Sequence, residues 1–217
     1  MLSDVNGEYP AMESAEIRTA EGNRYTVFSL WDTYRNLHQL LTLVYPERQL
    51  EMVRSMVGMY REWGWLPKWE LYGRETFTME GDPSIPVIVD TWMKGLRDFD
   101  MDAAYEAMRK SATTPGARNR MRPDIDPYIE KGYVPLGFYA RDLSGDNSVS
   151  HALEYYIADH ALSLLADSLG KKDDAALFRA RSLGYKNYYS TESGTFRPIT
   201  KAVSYTHLRA HETCADL

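Results

Sequence analysis

Apolar residues recur at helical spacing along most of the chain. Leu37, Leu40, Leu41 and Val44 fall at i, i+3, i+4 and i+7, one face of a helix. The helix is expected to begin at Ser29, because Ser29-Leu30-Trp31-Asp32 sets a hydroxyl three residues ahead of an acid, the capping-box pattern. Pro46 breaks this helix and opens another, with a stripe of Leu50, Val53, Val57 and Tyr60 and Gly64 as its ending residue. Asp82-Pro83 reads as N-cap and first helical position of a third. Its apolar face runs through Ile88, Trp92, Leu96 and Phe99, and Asp90 and Lys94 form an i,i+4 pair. A short helix is expected over 101–110, a strong one over 149–169 closed by Gly170, and a last one over 173–189.

The remaining segments read as connections. Residues 1–28 are an extended lead-in, with turn signals at Asn6-Gly7 and Gly22-Asn23 and a β-prone run at 25–28. Residues 65–81, 113–127 and 132–148 read as loops. No strand alternation follows residue 30, and neither a heptad register nor a repeat of about 30–47 residues is present. The pattern predicts a mainly α fold of antiparallel helix hairpins, for which an α/α-toroid is the natural closed form. A helical bundle and an α-solenoid are the rivals, the solenoid disfavoured by the missing repeat.

Charge and composition narrow the function. Net charge is −6 over 217 residues, against the clustered basic face that nucleic acid requires. The basic run at 118–122 (RNRMR) is short and reads as a solvated loop. No apolar run approaches the ~18 residues of a membrane span. The opening residues, MLSDVNGEYP, lack the features of a signal peptide. Cys214 is the single cysteine, which excludes an internal disulfide and C-x-x-C motifs. The 5 Trp and 16 Tyr are more telling, since their apolar faces and polar edges suit a sugar ring and its hydroxyls.

Four sets of residues could carry chemistry. Trp31, Asp32 and Arg35 share one helical face, where Asp32 could accept from vicinal sugar hydroxyls or simply complete the capping box and pair with Arg35. The 65–76 loop carries Trp65, Trp69, Tyr72, Glu70 and Glu75, more than a connector needs, though it could only be packing its own rings. Glu154 and Asp159, five apart, lie about 140° apart on a helix and cannot both face one pocket. Of the two, Glu154 is nearer the helix start, where a cavity would open. His38, His151 and His160 lack metal-ligand spacing, and His38 reads as a packed, hydrogen-bonded residue. Serine hydrolase, P-loop and dinucleotide motifs are absent.

The segment 29–35 (SLWDTYR) with LTL at 41–43 resembles the hallmark of glycoside hydrolase family 92, calcium-dependent exo-α-mannosidases. Further blocks are similar in the same order: residues 3–9, the run PKWELYGRETFTMEGDPSIPVIVDTWMKG at 67–95, GYVP at 132–135 and residues 148–187. The resemblance implies an N-terminal β-sandwich, an (α/α)6 barrel and inverting removal of terminal α-mannose from N-glycans, in a secreted or periplasmic enzyme. It matches Asp32 to a mannose-contacting aspartate, with Trp31 and Arg35 shaping the same corner, and Glu154 to a glutamate of unassigned role. Trp69 and Glu75 complete the candidate substrate-binding set.

Three departures qualify the likeness. Gln39 stands where the family has proline, and nothing corresponds to the β-sandwich. The family's motifs for the general acid and the base, which lie downstream, do not occur here, and its calcium-linked motif is absent too. The expectation is a partial toroid over 29–200 without its catalytic pair, exposing apolar faces. Residues 201–217, containing SYTHLRAHET, read as a non-native tail in which His207, His211 and Cys214 have no role. The alternatives are another α/α-toroid glycosidase of trehalase type, or a non-catalytic carbohydrate-binding helical module.

Overall fold

The computed structural model describes residues 1–138 and 147–200. The expected non-native tail lies outside the described residues, as does part of the 132–148 loop. The elements in chain order are β1 (Glu8–Pro10), β2 (Ile17–Thr19), β3 (Phe28–Ser29), α1 (Leu30–Thr33), α2 (Leu37–Val44), α3 (Pro46–Trp63), β4 (Trp69–Leu71), β5 (Arg74–Glu75), α4 (Ser84–Met93), α5 (Met101–Thr113), α6 (Ile125–Lys131), α7 (Ser148–Ser168), α8 (Lys172–Ser182), β6 (Tyr189–Ser190) and β7 (Thr195–Phe196). Among the described residues the strands form three small sheets and no β-sandwich.

The helical layer follows the apolar pattern where that pattern is long. In α3, Val53, Met56, Val57 and Met59 are buried, Pro46 occupies the first turn, and Gly64 closes the helix in the left-handed conformation at φ 92°. Helix α4 buries Ile85, Val87, Ile88 and Val89, and α5 begins at an N-cap, Asp100, whose side chain accepts from the Ala103 amide. Helices α3, α4, α5 and α7 pack on one another, and α7 turns back onto α8 across a three-residue link. Each fully buried aliphatic or Met side chain in this core contributes about 1.5–3 kcal/mol. A second cluster gathers Ile125, Tyr128, Val134, Tyr155, Tyr156 and Tyr188 around the first half of α7. The lead-in is fastened to α3 by Glu62, which takes the Arg24 guanidinium at 2.8 Å, the Tyr9 hydroxyl at 2.9 Å and the Met12 amide at 2.7 Å.

Several expectations are corrected. The helix expected from Ser29 is two helices, α1 and α2, interrupted at residues 34–36. The stripe on α2 faces outward: Leu37, Leu40 and Val44 are exposed, Leu40 at 53%, and Leu41 is half-buried; Leu43, outside the stripe, is 76% exposed. The inward face is polar, because His38 bonds Gln49 at 2.9 Å and Gln49 donates to Thr91 at 2.9 Å, tying α2 to α3 and α4. His38 is the packed, hydrogen-bonded residue expected.

The 65–81 loop contains a hairpin, β4 with β5, onto which β3 pairs with Ser29 opposite Trp69. These strands are too short to show alternation. Helix α4 starts at Ser84 rather than Pro83, and the Asp82 carboxylate turns away from the helix end. Leu96 and Phe99 lie past its end, where Phe99 packs edge-on against Trp92 at 5.9 Å. The last expected helix stops at Ser182, followed by a 3-10 turn over Leu183–Asn187.

The basic run at 118–122 is only half solvated. Arg118 and Arg120 are exposed, but Arg122 and Asn119 are fully buried. Arg122 bridges Asp82 at 2.9 Å and Asp159 at 2.7 Å, while Ser111 and Tyr128 donate to those same carboxylates at 2.6 and 2.8 Å. A buried guanidinium survives only with its charge matched; two carboxylates do that here and take Nε and Nη1, while Nη2 is buried without a hydrogen-bond partner among the described residues.

Candidate functional site

The site is a corner where the chain enters α1, walled by the β-hairpin and by the first turns of α7. Its entry is set by Glu70, a buried carboxylate that accepts from the Thr26 hydroxyl at 2.8 Å and the Val27 amide at 2.9 Å. Val27 sits at φ 63°, a conformation costly for a β-branched residue and sustained by that bond. The bend delivers Ser29 to the hairpin and Leu30 to the core.

At Ser29 the capping box takes an altered form. The Ser29 hydroxyl bonds the Asp32 carboxylate directly instead of a backbone amide, so Asp32 is held at the surface beside the helix mouth. The expected Asp32–Arg35 pair does not form. Arg35 crosses to α7 and meets Glu154 at 3.0 Å, with its guanidinium 4.9 Å from the Trp31 ring centroid and 5.1 Å from that of Tyr34. Tyr34 donates to the other Glu154 oxygen at 2.6 Å. Burial, and then the carboxylate it faces, push the Tyr34 phenol well up, so it stays a neutral donor. The break after α1 thus has a use: residues 34 and 35 leave the helix to reach Glu154.

Glu154 and Asp159 face different surroundings, as their spacing requires. Asp159 is fully buried against Arg122, and Glu154 lines the corner. Gly81 closes the wall at φ 77°, where an added Cβ would stand 2.6 Å from the Glu154 Cβ.

The loop candidates divide. Trp69 borders the corner through its pairing with Ser29. The Trp31 and Trp69 indole N–H groups are buried with no hydrogen-bond partner. Glu75 is buried and spends its oxygens on the amides of Lys68, Trp69 and Phe77 at 2.7, 3.0 and 2.8 Å, which holds the hairpin's shape.

One group escaped sequence reasoning. His151, one turn before Glu154 on α7, sits between Glu80 at 2.6 Å and Asp124 at 2.8 Å. Glu80 and Asp124 come from distant segments with no shared motif, so nothing local could have announced the cluster.

The corner therefore offers carboxylate acceptors at Asp32 and Glu154, a cation at Arg35 and aromatic surface at Trp31, a set suited to vicinal hydroxyls. Among the described residues no three His, Cys, Asp or Glu side chains converge as a cation cage would need. No described helix is long and apolar enough to cross a membrane.

The chain is 34% identical to the family GH92 α-mannosidase of Bacteroides thetaiotaomicron solved with mannoimidazole, with a TM-score of 0.84 over 95% of this chain and 26% of that one. It is 29% identical to a family GH92 inverting mannosidase of the same bacterium, with a TM-score of 0.81 over 92% of this chain and 26% of that one. An uncharacterized secreted glycosidase of Arthroderma benhamiae is 28% identical over 146 residues, 65% of this chain and 19% of its own length. The chain thus spans about a quarter or less of these relatives. The likeness identifies the helical layer as part of an α/α-toroid and sets aside the bundle, solenoid and trehalase-type alternatives. With the glycosyl hydrolase family 92 catalytic domain matched over residues 1–214, the chain belongs to glycoside hydrolase family 92.

Proposed function

We propose that this chain supplies the mannose-contacting corner of an exo-α-mannosidase that removes terminal α-mannose from N-glycan-type substrates with inversion. The observation that supports it is the convergence of Arg35, Tyr34 and Glu154 beside a surface-held Asp32. Asp32 accepts from two vicinal hydroxyls, which its exposed second oxygen and its Ser29 tether allow. Arg35 and Glu154 meet further hydroxyls.

Inversion needs an acid and a base about 6.5–9.5 Å apart, leaving room for a water between them. The family motifs that carry this pair do not occur in the chain, so we assign both to residues outside it. We assign any calcium of the intact enzyme to ligands outside this chain, a reading that rests on the family resemblance, whose calcium-linked motif does not occur here. The secreted relative supports export of the whole protein.

The test is an NMR titration of the chain with D-mannose, with D-glucose in parallel. Mannose is expected to shift the Trp31 indole and Asp32 signals with a Kd on the order of 10 mM, and glucose to leave them in place. Equal responses to the two sugars, or none to mannose, would defeat the proposal, as would an Asp32→Asn chain that binds like the wild type.

A further inference from the structure

His151 and Glu154 stand three residues apart on α7 and share a face. His151 Nε2 lies 2.6 Å from Glu80 Oε2, and Nδ1 lies 2.8 Å from Asp124 Oδ2. The Asp124 contact is a hydrogen bond, whereas the Glu80 contact is an ion-pair approach in which Oε2 gains no well-aligned N–H; a positive ring suits a site between two carboxylates, since a neutral imidazole carries a single N–H. Burial opposes that charge, but the bond to Asp124 and the contact with Glu80 outweigh it and lift the His151 pKa to about 9. The same bond, with one from Tyr155 at 2.6 Å, keeps the Asp124 carboxyl below its ordinary range despite burial. Among the described residues, the charged groups facing the ring are Glu80 from the run before α4 and Asp124 from the segment before α6. The buried Lys68 also lies near both carboxylates, with burial lowering its pKa.

Glu80 ends a run of unusual backbone. Tyr72, Phe77 and Met79 lie at φ 50°, 57° and 69°, a region that non-glycine residues occupy only when held there. The residue after Glu80 is Gly81, which abuts Glu154 so closely that a methyl group does not fit. A continuous path therefore leads from Asp124 through His151 and Glu80 to Gly81, and on to the carboxylate held by Tyr34 and Arg35.

We propose that His151 is a positioning residue of the sugar site: as an imidazolium it latches residues 76–81 onto α7, and the latched run fixes Glu154 against Tyr34 and Arg35 to meet a sugar hydroxyl. Only the ligand's identity rests on the mannoside reading; the latch stands on the contacts themselves.

The experiment is amide hydrogen exchange on the whole chain, normalised to Val53 and Met56 in α3. The reporter is Phe77, whose N–H donates to Glu75 at 2.8 Å. In His151→Gln, Phe77 protection and D-mannose affinity should each fall about tenfold while α3 holds. Glu80→Gln breaks the latch from the other side and should do the same. In the wild type, Phe77 protection should fall as pH rises from about 7 to about 10, which needs no variant.

Unchanged protection in both variants, or a flat wild-type profile, overturns the latch. Lost protection with undiminished mannose affinity overturns the positioning role. A wild-type chain that binds no mannose but shows the expected exchange overturns the mannoside reading and leaves the latch standing.

Discussion

Arg35 and Glu154 are separated by 119 residues in sequence and meet at 3.0 Å. The contact joins the start of the chain's helical layer to its longest helix, and it depends on α1 ending after one turn. Its energy is small. Arg35 is about half exposed, and such a pair contributes roughly 0–1 kcal/mol. The Tyr34 bond on the other oxygen matters more, because Tyr34 is buried.

Glu154→Ala should therefore destabilise the chain by about 1–3 kcal/mol, mostly by leaving the Tyr34 hydroxyl without its acceptor. Glu154→Gln keeps one acceptor oxygen and should cost about half as much. Tyr34→Phe together with Glu154→Ala should cost little more than Glu154→Ala alone. Urea unfolding of the wild type, Tyr34→Phe, Glu154→Ala and the double variant closes the cycle. Additive losses would mean that the two side chains do not communicate.

Gly81 and Gly116 test close approach against backbone conformation alone. Both have positive φ, 77° and 82°, but only Gly81 has a neighbour where a Cβ would go. Gly116→Ala should cost about 1 kcal/mol from the left-handed backbone. Gly81→Ala adds a collision with Glu154 and should cost about 2 kcal/mol more. It should also displace Glu154 from Arg35 and weaken mannose binding. Equal melting shifts for the two variants would argue against the tight wall.

Stability should fall on the alkaline side because of His151. Its folded pKa, about 9, lies above the ordinary 6.5. The contribution is complete below the ordinary value and is lost as pH rises through the folded one. A gap of that size corresponds to about 3 kcal/mol at most. Asp124 has the opposite sense: its folded pKa is lowered, so its contribution is present above 3.8 and disappears on acidification. Urea midpoints measured from about pH 5 to about pH 10 should decline at the upper end, and His151→Gln should flatten that decline.

Arg122 is buried with two carboxylates, so removing it alone leaves uncompensated charge. Arg122→Met should destabilise by about 3–5 kcal/mol, enough to compromise a domain of ordinary stability. Replacing Arg122, Asp82 and Asp159 together with apolar residues of similar volume should recover most of the loss. A triple variant less stable than Arg122→Met would contradict the desolvation argument.

What the sequence disclosed tracks the length of the pattern. Helices α3 and α7 were legible because long runs of apolar spacing agreed with Pro46, Gly64 and Gly170, and the short helix expected over 101–110 corresponds to α5. The hairpin at 69–75 was not, since its strands have two or three residues each. The corner was legible in part: a motif drew attention to Trp31, Asp32 and Arg35. The partner of Arg35 depends on tertiary packing, and so do the burial of Arg122 and the carboxylates around His151. A basic run looks alike whether its middle is solvated or enclosed by acids from elsewhere in the chain.

Helix α2 makes the same point in the opposite direction and gives a last prediction. Its apolar stripe looked like core, for which Leu→Ala costs about 2–5 kcal/mol. In the structure Leu40 of that stripe is mostly exposed, as is Leu43 outside it, while the buried face carries His38 and Thr42. Leu40→Gln with Leu43→Gln should change stability by less than about 0.5 kcal/mol and reduce self-association of the chain. His38→Ala should cost about 1–3 kcal/mol, because Gln49 loses a buried partner and a polar chain reaching Thr91 is broken. Urea unfolding and sedimentation of the three proteins would rank these effects. If the Leu variants proved the more damaging, the outward orientation of α2 would be wrong, and the helix would have to be rotated to bring its stripe into the core.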